Sequence, residues 1–249
     1  MIYLVRTLIS GLSLGSIYAL MALGYTMVYG VAKMLNFAHG DIIMVGAYSI
    51  IVAVSQAHLP PLAAVLISVA VCACLGVTVE FLAYRPLRQA PPLNVLITAI
   101  GVSYFLQNAA LLVFGSEQKA FPSIVSFPSL SVGGVEIDGI TLATLAVTAV
   151  IMASLTLFIS KTRIGKAMRA VSEDKGAAEL MGISVNRTIT LTFAVGSALA
   201  AVASIFFGAA YVYVRPTTGA MPGIKAFTAA VFGGIGSIPG AMLGGIMLG

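Results

Sequence analysis

Apolar residues run almost unbroken over 7–29, 42–56, 61–84, 93–114, 140–160, 188–213 and 224–249, with the polar positions gathered between them. Six of these runs reach the roughly 20 residues that carry an α-helix across about 30 Å of hydrocarbon. The run 42–56 is undersized, since at 1.5 Å per residue it spans only about 22 Å. The last run is interrupted by "VFGGIGSIPGAMLGG", in which Gly233, Gly234, Gly236, Pro239, Gly240, Gly244 and Gly245 break or thin a helix. The pattern predicts an all-α fold: a polytopic transmembrane helical bundle forming one domain over 1–249, with broken or re-entrant segments.

Composition sharpens this picture. Hydrophobic residues make up 59% of the 249 and charged residues only 8%, where a soluble domain carries about a quarter charged. No cleavable signal peptide is expected, because the first apolar run is too long and no small-residue cleavage pattern follows it. Cys72 and Cys74 lie inside one apolar run, at neither metal nor redox spacing, and read as small buried or lipid-facing residues. With no basic domain outside the membrane and no recognition motif, nucleic acid is not an expected partner.

Charge fixes most of the orientation. The loop 161–187 carries Lys161, Arg163, Lys166, Arg169, Lys175 and Arg187, and "YRPLRQAPP" carries Arg85 and Arg88; together they hold eight of the thirteen basic residues. The positive-inside rule places both loops in the cytoplasm. The loop 115–139, with Glu117, Glu136 and Asp138 against Lys119, suits the outer side. Run 61–84 then goes inward, 93–114 outward, 140–160 inward and 188–213 outward. Two routes remain for the amino terminus. Either 7–29 runs inward and a broken helix starting near Asn36 returns outward, or 7–29 runs outward and 31–56 dips in and out.

Candidate chemistry concentrates in "KMLNFAHGDIIM", residues 33–44. Irregular backbone and ionisable groups at membrane depth survive where protein or a water-filled cavity satisfies them, and so mark pathways. Asn36, His39, Gly40 and Asp41 are candidate pathway residues, with Gly233, Gly234 and Gly236 expected to face them. Interruptions at corresponding places in two halves, about 1–114 and 140–249, predict an internal repeat with a site at its interface. The competing structural reading makes Asn36 or Asp41 the cap of a helix starting at Ile42, His39 an interfacial hydrogen-bonded residue, and the glycines close-packing points between helices. Glu80, near the cytoplasmic end of its run, is expected to pair with Arg85 or Arg88.

In the cytoplasmic loop, Ile164, Ala167, Met168, Val171, Ala178 and Met181 suggest helices with one apolar face. Ser172, Glu173 and Asp174 suit a helix amino terminus, and Gly182 a left-handed carboxyl-terminal cap. Such a face needs a cover, and membrane lipid headgroups or a partner's groove are the candidates. "GAAELMG", Gly176–Gly182, resembles the EAA loop of ABC importer permeases, with Gly176 where that pattern has Glu.

The resemblance extends along the chain. "GLSLGSIYALMALGYTMVYGVAKMLNFAHGD", "AYRPLR", "AIGVSYFLQN", "RIGKAMRAVSEDKGAAELMGI" and "IKAFTAAVFGGIGSIPGAMLGG" (Ile224 standing where the family has Met) are similar to the branched-chain amino acid permeases of ABC importers. They resemble the first of the two related permease subunits. Family members run some tens of residues past "GGIMLG", so a shortened carboxyl terminus is expected here. The resemblance implies a permease domain with a second permease, two cytoplasmic ATPases and a periplasmic or surface-tethered amino-acid-binding protein as partners, in a bacterial inner membrane. It implies leucine, isoleucine and valine as substrates, moved by alternating access. It also implies that Ser172, Glu173, Asp174, Ala177, Ala178, Glu179 and Gly182 contact an ATPase. ATP and Mg2+ would sit on that partner, and this chain has no phosphate-binding GxxxxGK[ST] sequence. A passive channel or a secondary transporter are the rival classes, and neither needs the 161–187 loop. An intramembrane enzyme fits least, since no serine–histidine pair, aspartate pair or metal-ligand set recurs at membrane depth.

Overall fold

A computed structural model describes residues 2–124, 128–132 and 135–249; residues 125–127 and 133–134 of the 115–139 loop lie outside the described residues. The chain folds as helices α1 (Ile2–Ala32), α2 (His39–Ile51), α3 (Pro61–Val79), α4 (Pro92–Phe114), α5 (Gly139–Lys161), α6 (Arg163–Glu173), α7 (Lys175–Leu180), α8 (Val185–Tyr211), α9 (Ala220–Phe232) and α10 (Ile238–Leu248). Six helical stretches are long and apolar enough to cross a membrane, and α9 and α10 are shorter apolar helices. The expected all-α bundle is the observed one. Two short antiparallel ladders are its additions, Lys119–Ala120 (β1) with Tyr213–Val214 (β4), and Leu130–Val132 (β2) with Val135–Ile137 (β3).

Local chemistry explains where the helices begin. Pro61 and Pro92 open α3 and α4, each after an extended proline, Pro60 or Pro91; a proline at the first position lacks an N–H that the helix would leave unpaired anyway. The Asp138 carboxylate accepts from the Ile140 N–H at 3.1 Å and caps α5. Helix α2 begins three residues earlier than the apolar run suggested and continues through a π-helical turn, Val52–Gln56. That lengthens the undersized run to 18 residues, about 27 Å.

The contacts of α1 decide its direction. Near its start, the Ser13 hydroxyl accepts from Thr141 on the first turn of α5 at 2.8 Å, on the outer side. At its end, the Ala32 carbonyl accepts from Lys175 Nζ at 3.3 Å, within the basic loop. Helix α1 therefore runs inward and α2 returns outward, the first of the two routes.

Helices α1, α2 and α8 form the core, with Ile17–Leu23 and Ile42–Met44 essentially buried. Small residues set these approaches. On α3, a side chain at Gly76 would meet the Ser197 hydroxyl and the Phe193 carbonyl of α8, and in lipid such small-residue contacts replace the hydrophobic drive that water supplies. Helices α4 and α5 expose most of their surface, including Leu112 and Val113 on α4 and Val150 and Leu157 on α5. Cys72 is buried and Cys74 exposed.

Candidate functional site

Between α1 and α2 the chain leaves helical geometry at Lys33, a non-glycine residue with φ 56°, and re-enters at His39. Residues 33–38 fold back along α1: the His39 ring stands edge-on to Tyr25 at 4.6 Å between centroids and lies against Gly24, where a Cβ would strike it. Gly24 and Tyr25 lie about two turns inside the end of α1, so α2 starts at membrane depth. Met34, Asn36 and Ala38 are buried along this stretch. The His39 N–H closes a turn on the Asn36 carbonyl at 3.1 Å.

The polar side chains divide into partnered and unpartnered atoms. Asn36 Oδ1 accepts from the Tyr84 hydroxyl at 2.9 Å, while Asn36 Nδ2 and both His39 ring nitrogens are buried without a hydrogen-bond partner. Asp41 is 1% exposed, and its carboxylate accepts from the Ser103 hydroxyl and from Gln107 Nε2 at 3.0 Å, both on α4. Gln107 also donates to Ser103 Oγ at 3.1 Å. Among the described residues, no lysine or arginine neutralises Asp41.

The capping alternative is therefore corrected. Ala38 precedes α2 and no side chain caps it; Asp41 sits inside the first turn with its carboxylate turned to α4. His39 is buried rather than interfacial. The signal for Ser103 and Gln107 was their four-residue spacing on one face of the 93–114 run, which puts two polar groups on one stripe.

The glycine reading changes as well. Gly40 meets Gly219 and Gly223 at the start of α9: a Cβ on Gly40 would strike the Gly219 carbonyl, and one on Gly219 the Gly40 carbonyl. Gly233, Gly234 and Gly236 do not face Asn36 and His39. They form the turn between α9 and α10, where Gly233 and Gly240 press backbone on backbone. Gly234 and Gly236 have φ 86° and 102°, a region where a Cβ is costly. Gly236 lies against Gly30 near the inner end of α1.

Tyr84 and Glu80 belong to a second π-helical turn, Glu80–Tyr84. Such turns insert one extra residue per turn and often sit at functional sites. Glu80 is fully buried, pairs with Arg88, and accepts from the Thr190 hydroxyl of α8 at 2.7 Å. Arg88 also donates to Asn186. Of the two arginines expected as partners, Arg88 is the one used.

In the cytoplasmic loop, the Thr162 hydroxyl caps α6 by accepting from the Gly165 N–H at 2.9 Å. Asp174 caps α7, accepting from the Ala177 N–H at 3.0 Å. Ser172 and Glu173 thus end α6 rather than open a helix, and only Asp174 fills the expected cap role. Gly182, at φ 79°, closes α7 as expected: its N–H donates to the Glu179 carbonyl and the Ile183 N–H to Ala178, the paired bonds of a Schellman motif. Met168, Val171 and Ala178 are buried, so Ala178 faces the bundle. Ala177 and Glu179 are exposed. Leu180 and Met181 are 91% and 82% exposed, outside the single apolar face that the spacing suggested. Among the described residues, no group of three or more His, Cys, Asp or Glu side chains could hold a metal ion.

Residues 7–249 match the family model described as branched-chain amino acid transport system, permease component. The chain is 47% identical over 98% of its length to the high-affinity branched-chain amino acid transport permease BraD of Pseudomonas aeruginosa, spanning 83% of that protein. It is 42% identical over its whole length to the permease LivH of Escherichia coli, spanning 84% of it. A probable LivH of Methanocaldococcus jannaschii is 29% identical over 94% of the chain and 75% of that relative. No solved structure matches. The chain, a multi-pass protein of the bacterial inner membrane, belongs to the family of branched-chain amino acid transport permeases.

Proposed function

We propose that this chain passes leucine, isoleucine and valine inward by alternating access, as one permease of an ATP-driven importer. Its companions in this reading are a second related permease, two ATPases that bind ATP and Mg2+, and a periplasmic or surface amino-acid-binding protein. The chain itself carries out no chemistry on the substrate. The observation that carries the reading is α7: a short helix capped at both ends on the cytoplasmic side, presenting Leu180 and Met181 almost fully to solvent. Exposed adjacent apolar side chains at a rigid turn are what a groove on a partner protein takes up.

The same helix is tied to the end of α1, where the pathway segment begins. Lys175 at its start donates to the Ala32 carbonyl, one residue before the backbone turns at Lys33. A displacement of α7 by an ATPase therefore pulls on residues 33–41, which gives coupling a rigid element with two positions. Asn36, His39, Gly40 and Asp41 line the passage in this reading, with Gly219 and Gly223 opposite. The halves 1–114 and 140–249 fit the same reading. Each contains a long helix, an irregular stretch and a shorter helix, α1–α2 and α8–α9, and the shorter helices meet at Gly40 and Gly219.

The test is capture of the ATPases by the tagged permease assembly in detergent. Wild type is expected to retain them, and Leu180→Glu/Met181→Glu to lose them while keeping the second permease. Retention by the double variant would remove α7 as the docking element. Uptake of labelled leucine, competed equally by isoleucine and valine but not by urea or short amides, tests the substrates.

A further inference from the structure

We infer that a cleft at the cytoplasmic end of the bundle binds the phosphate headgroup of an anionic membrane lipid. The cleft has a volume of about 350 Å³ and is lined by three cationic residues from three parts of the chain, Lys33, Arg88 and Lys175, together with Leu87, Val95 and Leu96. Lys33 follows α1, Arg88 precedes α4, and Lys175 opens α7.

Positive charge is in excess there. The one salt bridge among the described residues joins Arg88 to Glu80, and Glu80 is also committed to Thr190. No carboxylate pairs with Lys33 or Lys175 among the described residues. Arg88 Nε is buried and has no acceptor, a donor that folding should not leave empty. Burial, and then the Arg88 guanidinium, hold the Lys175 ammonium below its ordinary range. An anion in the cleft offsets the repulsion between Arg88 and Lys175.

The apolar wall identifies the source of the phosphate. Leu87, Val95 and Leu96 would be idle against inorganic phosphate, but they suit the glycerol and first acyl carbons of a lipid. Beside them on α4, Leu93 and Ile97 are 62% and 60% exposed. The cleft lies at the inner end of membrane-crossing helices, the level of the inner-leaflet headgroups, where basic pockets between helices take anionic lipids. The inference stands apart from the transport reading, since it needs neither an ATPase nor a substrate.

The experiment titrates the delipidated, assembled transporter with short-chain phosphatidylglycerol, followed by native mass spectrometry, with ATPase capture read separately. Each lysine near the headgroups contributes about 1 kcal/mol, or about fivefold in affinity. Lys33→Gln is expected to weaken binding about fivefold, Lys33→Gln/Lys175→Gln about twenty-five-fold, and Lys33→Arg/Lys175→Arg to keep it. Phosphatidylcholine should bind no better to wild type than to the double variant. Unchanged phosphatidylglycerol affinity in the glutamine variants overturns the site, and so does failure of the arginine variant. Competition by glycerol 3-phosphate as effective as the lipid replaces it with a soluble phosphate ester. Loss of ATPase capture with lipid affinity intact reassigns the cations to the ATPase.

Discussion

At the scale of single residues, two kinds of position carry the pathway reading: buried polar atoms without partners, and glycines whose missing Cβ lets backbones touch. Asn36 and Tyr84 share one hydrogen bond across 48 positions of sequence. In a membrane such a bond is worth about 0.6 kcal/mol and at most about 1.7 kcal/mol. A double-mutant cycle of Asn36→Ala and Tyr84→Phe, read by thermal unfolding in detergent, should return a coupling in that range; zero coupling would detach Tyr84 from the pathway segment. His39→Ala removes no hydrogen bond, so its effect on stability should come from lost ring packing. If His39 lines the passage, uptake should fall about tenfold while ATPase capture stays intact; normal uptake by both His39→Ala and Asn36→Ala would remove these residues from the path. Gly40→Ala is expected to cost about 1–3 kcal/mol through overpacking against the Gly219 carbonyl, and Gly219→Ala the same. A Gly101→Ala control, with open space around it in the interior of α4, should leave the melting temperature unchanged or raise it slightly, since alanine is the better helix former.

At the scale of elements, the cap assignment in the cytoplasmic loop is directly testable. Asp174→Ala removes the acceptor for Ala177 and should cost about 1 kcal/mol of local helix stability, seen as faster amide exchange over 175–180. Ser172→Ala and Glu173→Ala should leave that exchange unchanged; the reverse pattern would restore the cap to Ser172. The sequence carried most of this level. Seven apolar runs became the observed helices because hydropathy reports a one-dimensional requirement, the thickness of hydrocarbon. The glycine- and proline-rich run 224–249 was legible as broken, and it is two helices. What the pattern missed was set by tertiary contact. The apolar spacing in 163–182 could not tell Met168 and Val171, which pack inward, from Leu180 and Met181, which do not. Nor could it tell that Gly40 meets Gly219 rather than Gly233, since glycine marks a close approach without naming what approaches. Asp41 was legible as a buried acid at membrane depth, but Ser103 and Gln107 became its partners only through the packing of α2 on α4.

At the scale of the molecule, α1 is the common element: it touches α5 near its outer end, α8 and α10 along its length, and α6 and Lys175 at its inner end. In the proposed coupling, a shift at the cytoplasmic loop reaches α1 through α6 and Lys175, beside the contacts of α6 with α5 and α8. What opposes such a shift is the cluster in which the buried Glu80 meets Arg88 and Thr190 and Arg88 meets the exposed Asn186, fastening the π-helical turn after α3 to the first turns of α8. Glu80 is fully buried, so breaking its pair strands a charge, which typically costs about 3–5 kcal/mol, whereas replacing both partners is often neutral. Arg88→Met alone should thus lower the melting temperature of the assembly sharply, and Glu80→Leu/Arg88→Met should recover most of the loss. The transport readout separates a fastener from a mere filler of space. If the cluster holds one of two inner-end arrangements, the recovered double variant should fold and capture ATPases yet hydrolyse ATP without binding protein present, because the resting arrangement is no longer favoured. A double variant that is stable, coupled and transports at the wild-type rate would reduce the cluster to packing. In that case Lys175 and the Ala32 carbonyl remain the described hydrogen bond that ties α7 to the end of α1.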